Sequence, residues 1–183
     1  MTSLTPFQAC DFLKLNPINL DVLTENYYLN FCMNYLYKWP DLMFKVESQG
    51  QPVGYMFGKY EDSGREWHSH ISAVTIAFRY RRLGLAKLLV DQLELCSDVS
   101  DCYYMDLFAR TGNSVAIDMY EQFGFSIFRR IVEYYGTGDD DDAFEMRKPL
   151  KRDPRHTCLT KSIHTKESTH WKYKYGKEAL NPS

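Results

Sequence analysis

The sequence lacks most of the features that mark membrane, secreted and disulfide-bonded proteins. No apolar run approaches the ~20 residues that a membrane-spanning helix needs. Residues 1–10 carry neither the basic nor the apolar region of a signal peptide, so we expect a cytoplasmic protein with no membrane association. The five cysteines are odd in number and form no CxxC pair, which disfavours a disulfide framework and a structural zinc site. The net charge of −2 disfavours a globally basic nucleic-acid binder.

The composition that remains is that of a globular domain followed by a basic extension. The chain has 183 residues, of which 44% are hydrophobic, so it is long enough for one domain with a substantial core. Residues 151–183 contain eight basic and three acidic side chains, a net charge of +5, and few aliphatic residues. We therefore predict a domain over residues 1–150 and a mobile or loosely docked extension over residues 151–183.

Hydrophobic periodicity predicts a fold that mixes strands and helices within residues 1–150. Strands are predicted over 4–7, 43–48, 53–60, 68–77, 103–108, 127–135 and 142–148, and helices over 9–15, 20–37, 85–96 and 114–123. The strand–helix–strand unit over 71–108 should be parallel and right-handed, whereas the other strands are mostly antiparallel. Tyr134 and Tyr135 fall in a predicted strand and should face opposite sides of it.

The most informative segment, RRLGLA from Arg81 to Ala86, lies between a predicted strand and a predicted helix. The first turn of a helix leaves about four backbone N–H groups without helical partners, and the helix dipole adds partial positive charge there. Gly84 and Ala86 permit close approach to the backbone, and two arginines add charged donors. This pattern indicates a cradle for a pyrophosphate. It matches neither the P-loop nor the dinucleotide-binding fingerprint.

The arrangement Arg-x-x-Gly-x-Ala after a strand resembles the acetyl-CoA-binding signature of the GCN5-related N-acetyltransferases (GNAT). A second block, from Asn113 to Tyr120 and on to Phe123-Gly124-Phe125, resembles the Asn-x-x-Ala-x-x-x-Tyr-x-x-x-Gly-Phe stretch of the same superfamily. The resemblance covers about residues 1–150. It implies an α/β (α+β) fold: a mixed, mostly antiparallel twisted sheet with a central splayed parallel strand pair and helices on both faces.

Further blocks resemble one group within this superfamily, the NatB-type N-terminal acetyltransferases. They are Asn19 to Tyr27, Trp39-Pro40, Glu66 to His70, Val132 to Tyr135 and Met146 to Lys148. Phe78 departs from the pattern, because the superfamily often has proline before the arginines. The basic extension shows no usable resemblance.

The resemblance implies transfer of an acetyl group from acetyl-CoA to the α-amine of chains that begin Met-Asp, Met-Glu, Met-Asn or Met-Gln. An α-amine has a pKa near 8, so part of it is already neutral in the cell, and catalysis rests on positioning and on stabilising the oxyanion. The implied cofactor-binding residues are Val74, Ile76, Arg81, Arg82, Leu83, Gly84, Leu85, Ala86, Asn113 and Tyr120. No metal is implied.

The resemblance also implies catalytic and substrate-binding residues. Tyr120 would protonate the leaving thiolate, Asn113 would lie near its sulfur, and Glu25 would bind a water that takes the amine proton. The implied substrate-binding residues are Glu25, Tyr27, His70, Ser72, Ala73, Tyr134 and Tyr135. Taken from the residues alone, Tyr120 also fits a core aromatic, Glu25 a solvated acid and His70 a structural histidine. The spacing of His68 and His70 allows a metal pair, but no third ligand is evident.

Residues 16–31 contain more large apolar side chains than one helix of so small a domain can bury. The resemblance implies that this region binds a large helical-repeat auxiliary subunit, in a heterodimer that acts on nascent polypeptides at the ribosome. Two alternatives remain. One is an enzyme of the same fold that acetylates lysine, a polyamine or another small amine. The other is a non-catalytic coenzyme-binding subunit.

Overall fold

The computed structural model describes residues 2–20, 27–61, 66–136 and 142–160. Within these residues, seven strands form one twisted sheet of order β1-β2-β3-β4-β5-β7-β6. The strands are β1 (Thr2–Pro6), β2 (Met43–Ser48), β3 (Gln51–Glu61), β4 (His68–Ile76), β5 (Tyr104–Arg110), β6 (Ser126–Ile131) and β7 (Ala143–Pro149). The α-helices are α1 (Asn16–Asn19), α2 (Leu29–Lys38), α3 (Leu85–Val99) and α4 (Ser114–Gln122). This is the mixed α/β fold that the sequence predicted.

The β4–β5 pair is parallel and splayed, as expected. Its ladder runs from His68 opposite Tyr104 to Ile71 opposite Leu107 and ends there. Beyond that point residues 73–76 of β4 pair only with β3, and residues 108–110 of β5 pair only with β7, among the strands that the structure describes. The two strands therefore open into a gap at the centre of the sheet, with unpaired backbone groups along the inner edge of β4.

Helices cover both faces of this sheet, and a separate apolar core lies beneath each helical layer. On one face α3 and α4 pack over a core that includes Leu89, Leu93 and Leu107. On the other face α2 packs over a second core that includes Tyr55 and Phe57 of β3. No helix among the described residues has the length and apolar character needed to cross a membrane.

Two predicted elements differ from the structure by more than three residues at one end. The helix expected over 20–37 is replaced by the single turn α1 and by α2, which begins only at Leu29, while residues 21–26 lie outside the described residues. Tyr28 has extended backbone angles (φ −64°, ψ 147°), which exclude a continuous helix through it.

The strand expected over 127–135 ends at Ile131. Glu133 turns the chain with a φ of 55°, and its N–H donates to Asp142 Oδ1 at 2.8 Å. Tyr134 and Tyr135 therefore lie in a turn, and the prediction that they face opposite sides of a strand is wrong. A local turn is favoured here because the Asp142 carboxylate satisfies the backbone donor.

The first ten residues of the predicted extension pack against the domain. The Asp153 carboxylate accepts hydrogen bonds from the N–H groups of Thr157 (2.9 Å) and Cys158 (2.8 Å) and from the Thr157 hydroxyl (2.6 Å). Arg147 of β7 in turn donates to the Cys158 carbonyl at 3.0 Å. The chain is thus held to the body past residue 150 through the buried Asp153 and Cys158, and residues 153–160 are called the strap below.

Candidate active site

The gap between β4 and β5 opens into a cleft of about 810 Å³. The cleft is lined by backbone and side chains of both splayed strands, by the first turns of α4 and by the two tyrosines 27 and 135. Seven of the residues predicted for the site line it, namely Tyr27, Ser72, Ala73, Val74, Asn113, Tyr120 and Tyr135. Segments far apart in the chain therefore meet at one opening.

On the α2 side, the wall of the cleft is fixed by two tyrosine hydroxyls that bind Ser72. Tyr27 donates to the Ser72 carbonyl at 3.0 Å, and the hydroxyls of Tyr35 and Ser72 lie 2.9 Å apart. The ring of Phe31 packs between these tyrosines, 5.0 Å from Tyr27 and 4.5 Å from Tyr35 between centroids. This contact ties the start of α2 to the splayed part of β4, which is why Tyr27 reaches the site from outside the sheet.

On the opposite side, α4 presents Tyr120 and Asn113 to the cleft. Burial, and secondarily the neighbouring Tyr135, raise the pKa of Tyr120 well above the usual range of a phenol. The Tyr120 hydroxyl is therefore protonated at neutral pH and is a proton or hydrogen-bond donor. The Asn113 carbonyl oxygen caps α4 by accepting from the Ala116 N–H at 3.1 Å, which leaves its amide N–H groups on the exposed side.

The arginine-rich turn lies at the far end of β4 and begins α3. Arg82 (φ 64°) and Gly84 (φ 77°) have left-handed backbone conformations. A Cβ on Gly84 would meet no atom within 4 Å, so glycine is favoured there by its backbone angles and not by lack of space. Arg81 Nε donates to the Ile76 carbonyl at 3.0 Å, and its guanidinium lies 5.6 Å from the Phe78 ring. The predicted residues 76 and 81–86 are thus grouped at the N-terminus of a 15-residue helix, with an exposed Arg82.

The turn after β6 holds Tyr135 in the cleft and Tyr134 behind it. Tyr135 donates to the Phe108 carbonyl at 3.2 Å, and the Arg110 guanidinium lies 4.0 Å from its ring centroid. Tyr134 stacks on the Phe108 ring at 4.7 Å. The two tyrosines therefore have different surroundings, although both belong to the same wall.

His70 does not line the cleft directly, but its ring packs against that of Phe108, which does. The two ring centroids are 5.3 Å apart, and His70 is buried. Its Nδ1 is 2.8 Å from Asp106 Oδ1. His68 lies on the same face of β4, as the spacing predicted, since its Nε2 is 3.6 Å from Asp106 Oδ2.

The two histidines belong to a buried ionic network with β3. Burial lowers the pKa of His68, but Glu61 and Asp106 outweigh it and leave that pKa above the ordinary value. Burial raises the pKa of Glu61, but His68, His70 and Lys59 outweigh it and hold that pKa well below the usual range. Within the described residues, no three or more His, Cys, Asp and Glu side chains are grouped as a metal ion requires.

Three residues of β5 that contact the site were not predicted from the sequence, and one predicted residue lies outside the described part of the chain. Asp106, Phe108 and Arg110 alternate along β5 and share the face of the strand that meets His70 and Tyr135. The period of two in DLFAR, which places Asp106, Phe108 and Arg110 on one face of a strand, is the signal that could have found them. Glu25 lies outside the described residues, so its predicted catalytic role stays a prediction.

Comparison with known proteins agrees with this geometry. The acetyltransferase (GNAT) family matches residues 11–125. The catalytic subunit naa20 of the N-terminal acetyltransferase B complex of Schizosaccharomyces pombe is 45% identical, over 84% of this chain and 88% of its own length. The crystal structure of Chaetomium thermophilum Naa20 with a bisubstrate analogue has a TM-score of 0.80 and 40% identity, covering 84% of this chain and 90% of that one.

A structure of the NatB acetyltransferase complex bound to CoA and MES also matches, with a TM-score of 0.74 and 46% identity, over 81% of this chain and 99% of that chain. The family match spans more than half of the chain, and the relatives align over most of it. The chain belongs to the acetyltransferase (GNAT) family and, within it, to the catalytic subunits of N-terminal acetyltransferase B.

Proposed function

We propose that this chain transfers an acetyl group from acetyl-CoA to the α-amine of N-terminal methionine in chains that begin Met-Asp, Met-Glu, Met-Asn or Met-Gln. The observation that carries the proposal is the open edge of β4 in a cleft that is lined by Tyr120 from one face of the sheet and by Tyr27 from the other. An amine and a thioester that enter from opposite sides of the sheet would meet at this edge. The relatives support this reading, since they are named as NatB catalytic subunits.

The cleft fits the coenzyme in both shape and chemistry. When bound, acetyl-CoA supplies the acetyl group as an activated thioester. The backbone of β4 around Val74 and Ile76, which forms no ladder with β5, would hold the extended arm of the coenzyme by main-chain hydrogen bonds. The N-terminus of α3 with Arg81 and Arg82 would bind its pyrophosphate. Arg81 already contacts the Ile76 carbonyl, which places the two subsites side by side.

The residues of the chain then act on a preassembled pair of reactants. The backbone N–H groups near Val74 stabilise the negative charge that develops on the acetyl oxygen. Tyr120 of α4 donates a proton to the departing sulfur, and the amide of Asn113, the N-cap of the same helix, binds that sulfur. A strong general base is not required, because an α-amine with a pKa near 8 is partly neutral at cellular pH. A water held by Glu25 accepts the remaining proton in this scheme.

The same proposal includes an auxiliary subunit. Leu29, Met33 and Tyr37 follow each other at four-residue steps and form an exposed apolar stripe on α2. Leu13, Leu20 and Tyr28 extend it across the preceding turns with exposures of 83%, 85% and 53%. An apolar surface of this extent marks a protein interface. We assign it, with residues 16–31, to a large helical-repeat partner in a cytoplasmic heterodimer that works on nascent chains at the ribosome.

Acetylation of a peptide panel tests the proposal. The chain, alone and co-expressed with the auxiliary subunit, is assayed with acetyl-CoA and peptides that begin Met-Asp, Met-Asn, Met-Leu or Ser-Glu. A further Met-Asp peptide has a blocked N-terminus and an internal lysine. We expect turnover on Met-Asp and Met-Asn peptides that exceeds Met-Leu at least tenfold and is strongest in the heterodimer.

Three other outcomes contradict the proposal. Turnover on the blocked peptide would identify a lysine acetyltransferase. Turnover only on polyamines or other small amines would identify a different acceptor. Coenzyme binding without turnover in the heterodimer would identify a non-catalytic subunit.

A further inference from the structure

The turn after β6 is held in place by side chains from two neighbouring segments. Asp142 Oδ1 accepts from the Glu133 N–H at 2.8 Å. The Phe108 ring of β5 stacks on Tyr134, and the Phe108 carbonyl accepts from the Tyr135 hydroxyl at 3.2 Å. These contacts restrain the backbone of the turn and the hydroxyl end of Tyr135. The face of the Tyr135 ring has a different neighbour.

That neighbour is Arg110, the last residue of β5. Its guanidinium lies over the Tyr135 ring, 4.0 Å from the ring centroid, which is within the range of a cation–π contact. Phe108 and Arg110 are two residues apart on β5, so they share one face of the strand and hold the two consecutive tyrosines of the turn. Arginine suits this contact because its guanidinium is flat and weakly hydrated, whereas a lysine ammonium is compact and strongly hydrated.

The contact between Arg110 and Tyr135 belongs to the wall of the cleft, because both residues line it. Arg110 is exposed and lies beyond the end of the β4–β5 ladder, and Tyr135 is half-buried. Tyr135 is also close to Tyr120, whose pKa it raises together with burial. A change in the orientation of the Tyr135 ring would therefore alter the cleft beside the proposed proton donor. Arg110 takes no part in the proposed chemistry, but it restrains this ring.

We propose that Arg110 is a positioning residue, which holds the Tyr135 ring in the orientation that binds the substrate peptide. Arg110 acts through Tyr135 and contacts neither the peptide nor the coenzyme. The contact depends on the flat guanidinium, and not on the positive charge alone. This inference rests on the proposed function, because it takes Tyr135 as part of the peptide groove.

Steady-state kinetics of variants in the heterodimer test this inference. Arg110→Ala should raise KM at least fivefold for Met-Asp and Met-Asn peptides alike. It should change kcat and the acetyl-CoA dissociation constant less than threefold, because only the peptide side of the cleft is affected. Arg110→Lys keeps the charge but loses the plane, so both KM values should still rise at least threefold. The matched control is Arg152→Ala, which should change none of these values. Its guanidinium lies 4.2 Å from the Tyr103 ring, and neither residue lines the cleft.

Double mutants show whether Arg110 acts through Tyr135. In a Tyr135→Leu background, which lacks the ring, Arg110→Ala should change KM less than twofold, whereas in a Tyr135→Phe background, which keeps the ring, it should have its full effect. Equal effects in the two backgrounds would overturn the inference, as would an Arg110→Lys variant with the KM of the unmodified enzyme. A loss confined to Met-Asp peptides would also overturn it, because Arg110 would then bind the substrate carboxylate directly.

A measurement without turnover separates this inference from the proposed function. Fluorotyrosine is incorporated in place of Tyr135, and its fluorine NMR resonance reports the surroundings of the ring. We expect the resonance to shift in Arg110→Ala and in Arg110→Lys and to stay unchanged in Arg152→Ala. An unchanged resonance in Arg110→Ala would overturn the inference, because Arg110 would then not restrain the ring. If the unmodified enzyme acetylates neither peptide, the proposed function has failed, and the resonance still decides whether Arg110 positions Tyr135.

Discussion

The two faces of the β4–β5 pair differ in kind, although they belong to the same strands. Toward α3 the strands present Ile71, Met105 and Leu107, which join the buried apolar core with Leu89 and Leu93. Toward the other side the same strands present His68, His70, Tyr104 and Asp106, which join the ionic network of β3. Neighbouring residues of either strand thus face opposite sides of the sheet, so that one belongs to the apolar core and the next to the ionic network.

The contrast shows how the fold divides its tasks. Burial of apolar side chains is the main source of stability, whereas a buried ionic network gains little net stability, because desolvation offsets the attraction between its charges. The apolar face therefore sets where β4 and β5 lie and where they separate. The polar face adds little to stability but orients groups beside the cleft. Its ionised side chains supply charges that apolar side chains in the same places would lack. Three predictions test this division.

The largest effect is expected from removing a side chain on the apolar face. Leu93 is fully buried, and its Cδ1 would lie 3.1 Å from a Cβ placed on Gly58 of β3, so the site is closely packed. Leu93→Ala should lower the free energy of unfolding by about 2–5 kcal/mol, measured by urea denaturation. Leu95→Ala, two residues along the same helix and 58% exposed, is the control and should change it by less than about 0.5 kcal/mol. Equal losses at both positions would contradict the assignment of the core to this face.

A smaller effect, on rate instead of stability, is expected at Tyr120, which belongs to the apolar core by packing but reaches the cleft. Tyr120→Phe should lower kcat about 100-fold, because the proton donor for the departing sulfur is lost, and should leave the acetyl-CoA dissociation constant within threefold. The control is Tyr60→Phe, whose hydroxyl lies 2.6 Å from that of Ser100 and far from the cleft. It should lower stability by about 1 kcal/mol without changing kcat. An unchanged kcat in Tyr120→Phe would mean that Tyr120 only packs in the core and has no part in catalysis.

The sequence predicted the parts of this arrangement that depend on local pattern. The turn from Arg81 to Ala86, the helix that follows it and the parallel strand pair all follow from short-range signals and chain connectivity. It did not predict Asp106, because its role depends on the register that sets it opposite His70, and register is a property of two strands.

The distinction between local pattern and contacts with other segments also explains why the predicted ends of one helix and one strand were wrong. The late start of α2 depends on the Tyr27 hydroxyl, which binds the Ser72 carbonyl 45 residues away. The early end of β6 depends on the Asp142 carboxylate, which takes the Glu133 N–H. In both cases a distant or side-chain partner outweighs the local hydrophobic pattern, which alone would continue the element.

The smallest effect is expected at the outer end of the polar face, where the strap over residues 153–160 closes on Arg147. Burial raises the pKa of Asp153, but the hydroxyl and N–H of Thr157 and the N–H of Cys158 outweigh it and lower that pKa to about 2. Since this value lies below the ~3.9 of an unfolded aspartate, the carboxylate stabilises the fold above about pH 4, and the contribution is lost as pH falls toward 2. Asp153→Asn should therefore cost about 1–2 kcal/mol at pH 6, and its difference from the unmodified chain should shrink below pH 4.

The comparison of the two faces predicts that this pH dependence is specific to the polar one. Urea unfolding of Asp153→Asn and Leu93→Ala at pH 6, 4 and 3 separates them, because the cost of the leucine cavity involves no proton and should stay constant while the Asp153 cost declines. Asp91→Asn on the exposed surface of α3, where Lys87 is its partner at 2.7 Å, is the control and should show a difference near zero throughout. A constant cost for Asp153→Asn down to pH 3 would mean that the strap is held by packing of Cys158 and its neighbours, and not by the carboxylate.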